Sequence, residues 1–221
     1  MKNIKAVLFD FDDTLGNRQQ YAYDAYGDFI REEMPELTDE AFIEAIKQDL
    51  CTAHQFGNAG FGYAAQFVAN KYGIRMPDID YKQWWNLNMS RHTCLSDDTI
   101  ETLEALKGKY RLGIITNGTH YSQWNKIRLT GIEKYFELIM VSQDVGFEKP
   151  DKRIFLAASD KLGLRPEECM YIGDTYSNDV YGACNAGMNA VWIWHDPIRA
   201  CNTPVTRITK ISQVLDLLGE R

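Results

Sequence analysis

Four short apolar segments of this chain each end abruptly in residues that carry polar chemistry, and this recurrence constrains the fold more than any other feature. The segments are rich in the residue types that favour strands. In an open α/β sheet the carboxyl ends of the strands form the ligand crevice, so the polar residues that follow them would meet there. The segments are Ala6–Phe9, Arg111–Ile115, Leu138–Val141 and Cys169–Ile172.

The first segment runs directly into Asp10, Phe11, Asp12, Asp13 and Thr14. Residues two apart on an extended segment share a face, so the side chains of Asp10 and Asp12 can converge. Two like charges ~4 Å apart repel by roughly 4 kcal/mol at an effective dielectric near 20, so a cation must bind or one carboxyl must hold a proton. Taken alone, the run is equally typical of an acidic turn that caps the next element of the chain.

The second and third segments offer groups that could hold phosphate oxygens. Thr116 and Asn117 follow the second segment and precede a glycine and a helix-like stretch, where free backbone N–H groups favour an anion. Both residues are also ordinary helix caps. Lys149 lies beyond the third segment, just before Pro150 at a predicted helix start, where an ammonium could neutralise phosphate and carboxylates. Most lysines are merely solvated, so this signal is weak alone.

The fourth segment ends in Gly173 and Asp174, and Asp179 follows five residues later. Oxygen ligands from Asp10, Asp12 and Asp174, together with waters and a substrate phosphate, are what Mg²⁺ favours. Asp179 could equally be only a helix-start residue.

The four patterns occur in the order Asp-x-Asp-x-Thr, Thr-Asn, Lys-Pro and Gly-Asp-(four residues)-Asp. Together they resemble the haloacid dehalogenase (HAD) superfamily, in its phosphatase branch with a helical C1-type cap (subfamily I). The resemblance covers about residues 1–16 and 95–221. It implies an α/β fold, with a Rossmann-like doubly wound parallel sheet as the catalytic core and an inserted all-α cap domain.

The resemblance also implies the roles of the site residues. Asp10 would attack phosphorus and form an aspartyl-phosphate, and Asp12 would act as the acid and then the base. Mg²⁺ would be held by Asp10, Asp174 and the backbone carbonyl of Asp12. The remaining phosphate oxygens would be bound by Lys149, Thr116 and Asn117. Asp179 would support the site by fixing a metal-bound water or by orienting Lys149, and Thr14 would also have a supporting role.

The stretch between the first two motifs is too long for a simple crossover and has helical rather than strand patterning. We therefore expect residues 17–94 to form the helical cap, with the core at residues 1–16 and 95–221. The predicted helices cover about Gln19–Glu33, Thr38–Cys51, Gly62–Tyr72 and Tyr81–Met89. The loop His54–Phe61 either contacts the substrate's leaving group or merely connects two helices. At the other end, Ala190–Trp194 is predicted to be the last core strand, followed by a turn at His195, and Ile208–Gly219 to cover the sheet edge.

Composition bounds the location and the partners. The net charge of −7 argues against a nucleic-acid polymer, although an acidic protein can act on small phosphorylated metabolites. The N-terminal apolar run is too short for a signal peptide or a membrane span, so we expect a cytoplasmic protein with no membrane partner. The odd number of cysteines, without a Cys-x-x-Cys pair, favours neither a disulfide framework nor a zinc site. The oligomeric state is not readable from the sequence.

The predicted function is a Mg²⁺-dependent phosphatase that hydrolyses a small phosphomonoester, either a sugar phosphate or a nucleoside monophosphate. A phosphomutase is the nearest alternative, because it shares the nucleophile, the acid and the metal. Dehalogenases and phosphonate-cleaving relatives fit less well, since both lack the second acid that Asp12 supplies here. A protein that only binds a phosphorylated ligand would be the non-catalytic alternative, and the intact motifs argue against it.

Overall fold

A parallel sheet carries the polar residues identified above. The computed structural model describes residues 3–57, 59–194 and 204–220. Within them the sheet has six strands in the order β3-β2-β1-β4-β5-β6, and every neighbouring pair is parallel. Phe9 is level with Ile114 of β2 and with Ile172 of β4, so the carboxyl ends of these three strands lie within two residues of one another along the sheet. The strands are β1 (Ala6–Phe9), β2 (Arg111–Thr116), β3 (Leu138–Val141), β4 (Cys169–Gly173), β5 (Asn189–Ile193) and β6 (Thr206–Ile208).

Helices cover both faces of the sheet, because alternate strand residues point to opposite sides. On one face, residues such as Phe9 and Ile114 pack with apolar residues of α5, α6 and α10. On the other, Leu8 and Tyr171 pack with Phe155 of α8 and with α9. This arrangement confirms the predicted α/β Rossmann-like fold. The helices of this part are α5 (Thr99–Leu106), α6 (His120–Leu129), α7 (Ser142–Val145), α8 (Lys152–Lys161), α9 (Tyr181–Asn185) and α10 (Val214–Leu218).

The chain divides into two units, unit 1 (Met1–Asn17 and Leu95–Arg221) and unit 2 (Arg18–Cys94). Unit 2 is helical, as predicted, and has a core of its own in which Phe29, Phe61 and Trp84 are buried. Asp39 and Asp80 cap the starts of two of its helices by accepting backbone N–H bonds. Its helices are α1 (Arg18–Glu33), α2 (Glu40–Ala53), α3 (Phe61–Tyr72) and α4 (Tyr81–Asn88).

The C-terminal part of the sheet differs from the prediction. β5 is not the last strand, because Thr206–Ile208 forms β6, which pairs in parallel with β5 and provides the sheet edge. The expectation that Ile208 begins an edge-covering segment was therefore wrong, although the helix α10 does follow and packs on one face of the sheet. The predicted turn at His195 lies outside the described residues. No helix in the described part of the chain is long and apolar enough to cross a membrane.

Candidate active site

The carboxyl ends of β1, β2 and β4 bring three of the predicted site residues to one edge of the sheet. Asp10 follows β1, Thr116 is the last residue of β2, and Asp174 follows β4. All three are buried. Thr14 is also buried, in the turn after β1, and its hydroxyl has no hydrogen-bond partner among the described residues. The turn passes through Asp13 with a φ of 55°, in the left-handed region that aspartate tolerates.

Lys149 links the nucleophile candidate to the last acidic motif. Its Nζ lies 2.7 Å from Asp10 Oδ1, 2.7 Å from Asp179 Oδ1 and 3.0 Å from the Tyr171 hydroxyl. Although burial opposes it, the carboxylates of Asp10 and Asp179 raise the pKa of Lys149 above its ordinary value, so it is an ammonium at neutral pH. A fixed positive charge therefore lies beside Asp10.

Asn117 holds the main chain of Lys149. Its side-chain nitrogen donates to the Lys149 carbonyl at 2.9 Å, and its Oδ1 accepts from the Lys149 N–H at 2.8 Å. Both polar atoms of the amide thus support the lysine. Binding of phosphate by Asn117 and Thr116 stays a prediction, and the observed contacts give Asn117 a positioning role as well.

Asp10, Asp174 and Asp179 form a buried cluster in which one carboxylate oxygen of each lies within 4.8 Å of those of the others. Burial raises the pKa of Asp10 to about 7, against the effect of Lys149, and the carboxylates of Asp179 and Asp12 add to the rise. Burial, then Asp179 and Asp10, raises the pKa of Asp174 well above its usual value. When all three carboxyl groups are ionised, their negative charge exceeds that of the one ammonium beside them, and their all-oxygen donor set fits Mg²⁺.

Asp179 lies in a short π-helical segment, Tyr176–Val180, that follows β4. Its Oδ2 accepts the Thr175 N–H at 2.9 Å, and its Oδ1 lies 3.0 Å from the Tyr171 hydroxyl. A Cβ on Gly173 would come 2.3 Å from Asp179 Cγ, so only glycine leaves room for this carboxylate. A residue that orients Lys149 would make this contact with it, and that role of Asp179 stays a prediction.

Asp12 does not join the carboxylate cluster through its side chain. Instead its two oxygens each lie 2.6 Å from Lys126 Nζ, and its Oδ2 accepts from Gln123 Nε2 at 3.0 Å. Neither Lys126 nor Gln123 was identified from the sequence. Their spacing of three residues on α6 places them on one helix face, but that signal alone does not show what the face contacts.

The loop at His54 belongs, at its start, to the core of unit 2. His54 is buried, hydrogen-bonds to the Tyr26 hydroxyl through Nδ1, and lies 4.7 Å from the Trp85 ring centre in an edge-to-face arrangement. His54 itself therefore has a packing role. Contact of the rest of the loop with a substrate stays a prediction, and Asn58 lies outside the described residues.

Comparison with known proteins gives the site its context. A family model described as haloacid dehalogenase-like hydrolase matches residues 7–193. Glyceraldehyde 3-phosphate phosphatase of Methanothermobacter thermautotrophicus is 30% identical over 227 residues, which cover 97% of this chain and 100% of the relative. Human N-acylneuraminate-9-phosphatase is 27% identical over 237 residues, which cover 98% and 93%.

A solved structure shows the same architecture. The HAD hydrolase YfnB of Bacillus subtilis, determined bound to magnesium, has a TM-score of 0.79 and 25% identity, with 98% of this chain and 99% of that chain covered. The matches confirm the predicted superfamily and, through the relatives' names, the prediction of a phosphoric monoester hydrolase. This chain therefore belongs to the haloacid dehalogenase-like hydrolases.

Proposed function

We propose that this protein is a Mg²⁺-dependent phosphatase that hydrolyses a small phosphomonoester through an aspartyl-phosphate on Asp10. The observation that carries the proposal is the position of the Asp10 carboxylate: it lies at the end of the central strand, 2.7 Å from the buried ammonium of Lys149 and within a cluster of two further carboxylates. The family membership and the phosphatase relatives support it.

In the first step, an oxygen of Asp10 attacks phosphorus, and the bond from phosphorus to the ester oxygen breaks. Lys149 stabilises the negative charge that the phosphoryl group brings into the buried site. Asp12, protonated at this stage, gives its proton to the departing oxygen, so that the alcohol leaves neutral.

In the second step, a water molecule attacks the phosphorus of the aspartyl-phosphate. Asp12, now ionised, takes a proton from this water, and the bond between phosphorus and the Asp10 oxygen breaks. Inorganic phosphate leaves, Asp10 is again a carboxylate, and Asp12 carries the proton needed for the next turnover. One residue thereby serves as acid and then as base.

The metal would be held by the carboxylates of Asp10 and Asp174 and the backbone carbonyl of Asp12, with Asp179 close enough to contribute. When bound, Mg²⁺ supplies the positive charge that this cluster lacks and neutralises charge on the phosphoryl group. Its binding by these residues rests on the oxygen donor set and on the charge excess described above.

The substrate we propose is a small phosphorylated metabolite, and within that class a sugar phosphate. The full-length relatives are named for glyceraldehyde 3-phosphate and an N-acylneuraminate 9-phosphate, both small oxygenated compounds rather than nucleotides. The net charge of −7 is unfavourable for a polyanionic nucleic acid.

The test is release of inorganic phosphate from a panel of sugar phosphates, nucleoside monophosphates and para-nitrophenyl phosphate, with Mg²⁺ and with EDTA. Wild type is expected to release phosphate only with the metal, and Asp10→Asn to lose the activity by a factor of at least about 10³. Asp160→Asn, on the exposed side of α8, is the matched control. A folded wild type that turns over no compound of the panel would overturn the proposal.

A further inference from the structure

Two residues of α6 hold the carboxylate of Asp12. Lys126 Nζ lies 2.6 Å from both oxygens, and Gln123 Nε2 lies 3.0 Å from one of them. Gln123 Nε2 also donates to the Asn117 carbonyl at 2.7 Å. The amide thus joins the turn after β1 to the loop after β2, and the three hydrogen bonds restrict the orientation of the Asp12 side chain.

Lys126 and Asp12 differ in how deeply they are buried. Lys126 is fully buried, whereas the Asp12 side chain keeps 21% of its surface exposed. The ammonium is therefore enclosed by protein, whereas part of the Asp12 side chain remains accessible to solvent. The ammonium also lies over the ring of Phe11, 5.5 Å from its centre.

A purely stabilising role explains this arrangement poorly. Removing a lysine ammonium from water is costly, and a buried ion pair contributes little net stability compared with apolar residues of similar size.

The backbone beside Gln123 also accommodates the arrangement. Gly118 has a φ of 145°, and a Cβ there would lie 2.7 Å from Gln123 Nε2. Glycine at this position is what allows the amide to reach both of its partners.

We propose that Lys126 and Gln123 are positioning residues for the acid–base chemistry of Asp12. The inference rests on the proposed function, in which Asp12 protonates the departing oxygen and later activates water. Both steps need one carboxyl group at a fixed place, and displacements of about 1 Å can lower a rate by about 10²-fold. Lys126 and Gln123 act through Asp12 and not on the substrate.

The test compares two leaving groups. A simple alkyl phosphate needs its oxygen protonated as it leaves, whereas 2,4-dinitrophenolate leaves without a proton. Lys126→Met is expected to lower kcat/KM for the alkyl ester by about 10- to 100-fold and for 2,4-dinitrophenyl phosphate by less than about 3-fold. Gln123→Leu should show the same selectivity with a smaller loss, and it carries the comparison if Lys126→Met does not fold.

Arg128→Met is the matched control, because Arg128 lies on the same helix but is exposed, 3.8 Å from Glu133. It should leave kcat/KM unchanged for both esters. The second control adds Lys126→Met to an Asp12→Asn variant and uses para-nitrophenyl phosphate as the substrate. The added substitution should lower kcat/KM by less than about 2-fold, because Lys126 has no acid left to position.

The inference would be overturned if a folded Lys126→Met variant lost kcat/KM equally for the two esters. A full additional loss of kcat/KM in the Asp12→Asn variant would overturn it too. Neither result would contradict the proposed phosphatase function. A wild type that hydrolyses neither ester would instead overturn the proposed function, and this inference with it.

Discussion

At the scale of single residues, the candidate site is defined by unbalanced charge. Asp10, Asp174 and Asp179 are buried together, and Lys149 is the ammonium that contacts two of them. Because burial and mutual repulsion raise the pKa values of Asp10 and Asp174, the protein alone holds these carboxylates at a cost in free energy. A bound cation would remove that cost.

This imbalance predicts opposite effects of Asp174→Asn with and without metal. In EDTA the variant should melt at a higher temperature than wild type, because one repelling carboxylate is gone. In saturating Mg²⁺ the order should reverse, since ligand at 100 times its Kd stabilises the folded wild type by about 2.7 kcal/mol and the variant has lost a ligand. Thermal melting of both proteins in the two buffers measures this.

Asp160→Asn serves as the control for general loss of an acidic charge, and it should keep the wild-type response to Mg²⁺. An equal rise of Tm with Mg²⁺ in wild type and Asp174→Asn would show that Asp174 does not bind the metal.

The site residues that were predicted from the sequence and those that were missed differ in their position relative to the strands. Asp10 and Asp174 directly follow apolar strands and Thr116 ends one, and the shared edge of a parallel sheet predicts that they meet. Lys126 lies within a helix, where a lysine is normally solvated, and its role depends on which helix face packs against the turn after β1. Tertiary packing of that kind has no local signature.

At the scale of secondary-structure elements, α2 is followed by a histidine that is enclosed in unit 2. His54 is buried beside Tyr26 and Trp85. Burial, assisted by the Arg18 guanidinium, lowers the pKa of His54 from 6.5 to about 3. The ring is thus neutral in the folded protein at every pH above about 3 and charged in the unfolded chain below 6.5.

The sign of the resulting pH dependence follows from proton binding. Below pH 6.5 the unfolded chain binds a proton at His54 that the folded protein does not, so stability falls as the pH decreases. Between pH 7.5 and 5 the contribution is about 2 kcal/mol. Denaturant unfolding at these two pH values should therefore show a smaller loss for His54→Gln than for wild type.

His120→Gln is the matched substitution, because the His120 side chain is 58% exposed. It should leave the wild-type pH dependence in place. If His54→Gln and wild type lose stability in parallel, His54 is protonated in the folded state and the enclosed neutral ring is excluded.

Prediction from sequence succeeded for elements with a strong repeating pattern. The four helices of unit 2 and the strands β1 to β4 have clear apolar periodicity or continuous apolar runs, and all of them form. β6 was missed because Thr206–Ile208 is three residues long and contains an arginine. Such a segment becomes a strand by pairing with the exposed edge of β5, which is a tertiary event.

At the scale of the whole molecule, unit 1 and unit 2 have separate hydrophobic cores. Phe29 lies fully buried in the core of unit 2, with Phe61 and Trp84 edge-on to it at ring-centre distances of 4.9 and 5.2 Å. Each core is built from residues of its own unit. We therefore expect a defect in one core to disturb the packing of its own unit first.

Phe29→Ala is accordingly expected to destabilise unit 2 by about 3–5 kcal/mol through the cavity it leaves. Hydrogen exchange followed by mass spectrometry should show faster exchange in peptides of residues 18–94, while peptides of β1, β2 and β4 keep wild-type protection. Phe67→Ala removes the same side chain from a 41% exposed position on α3 and should change little. Loss of protection in both units to the same extent would instead mean that the two cores unfold as a single cooperative structure.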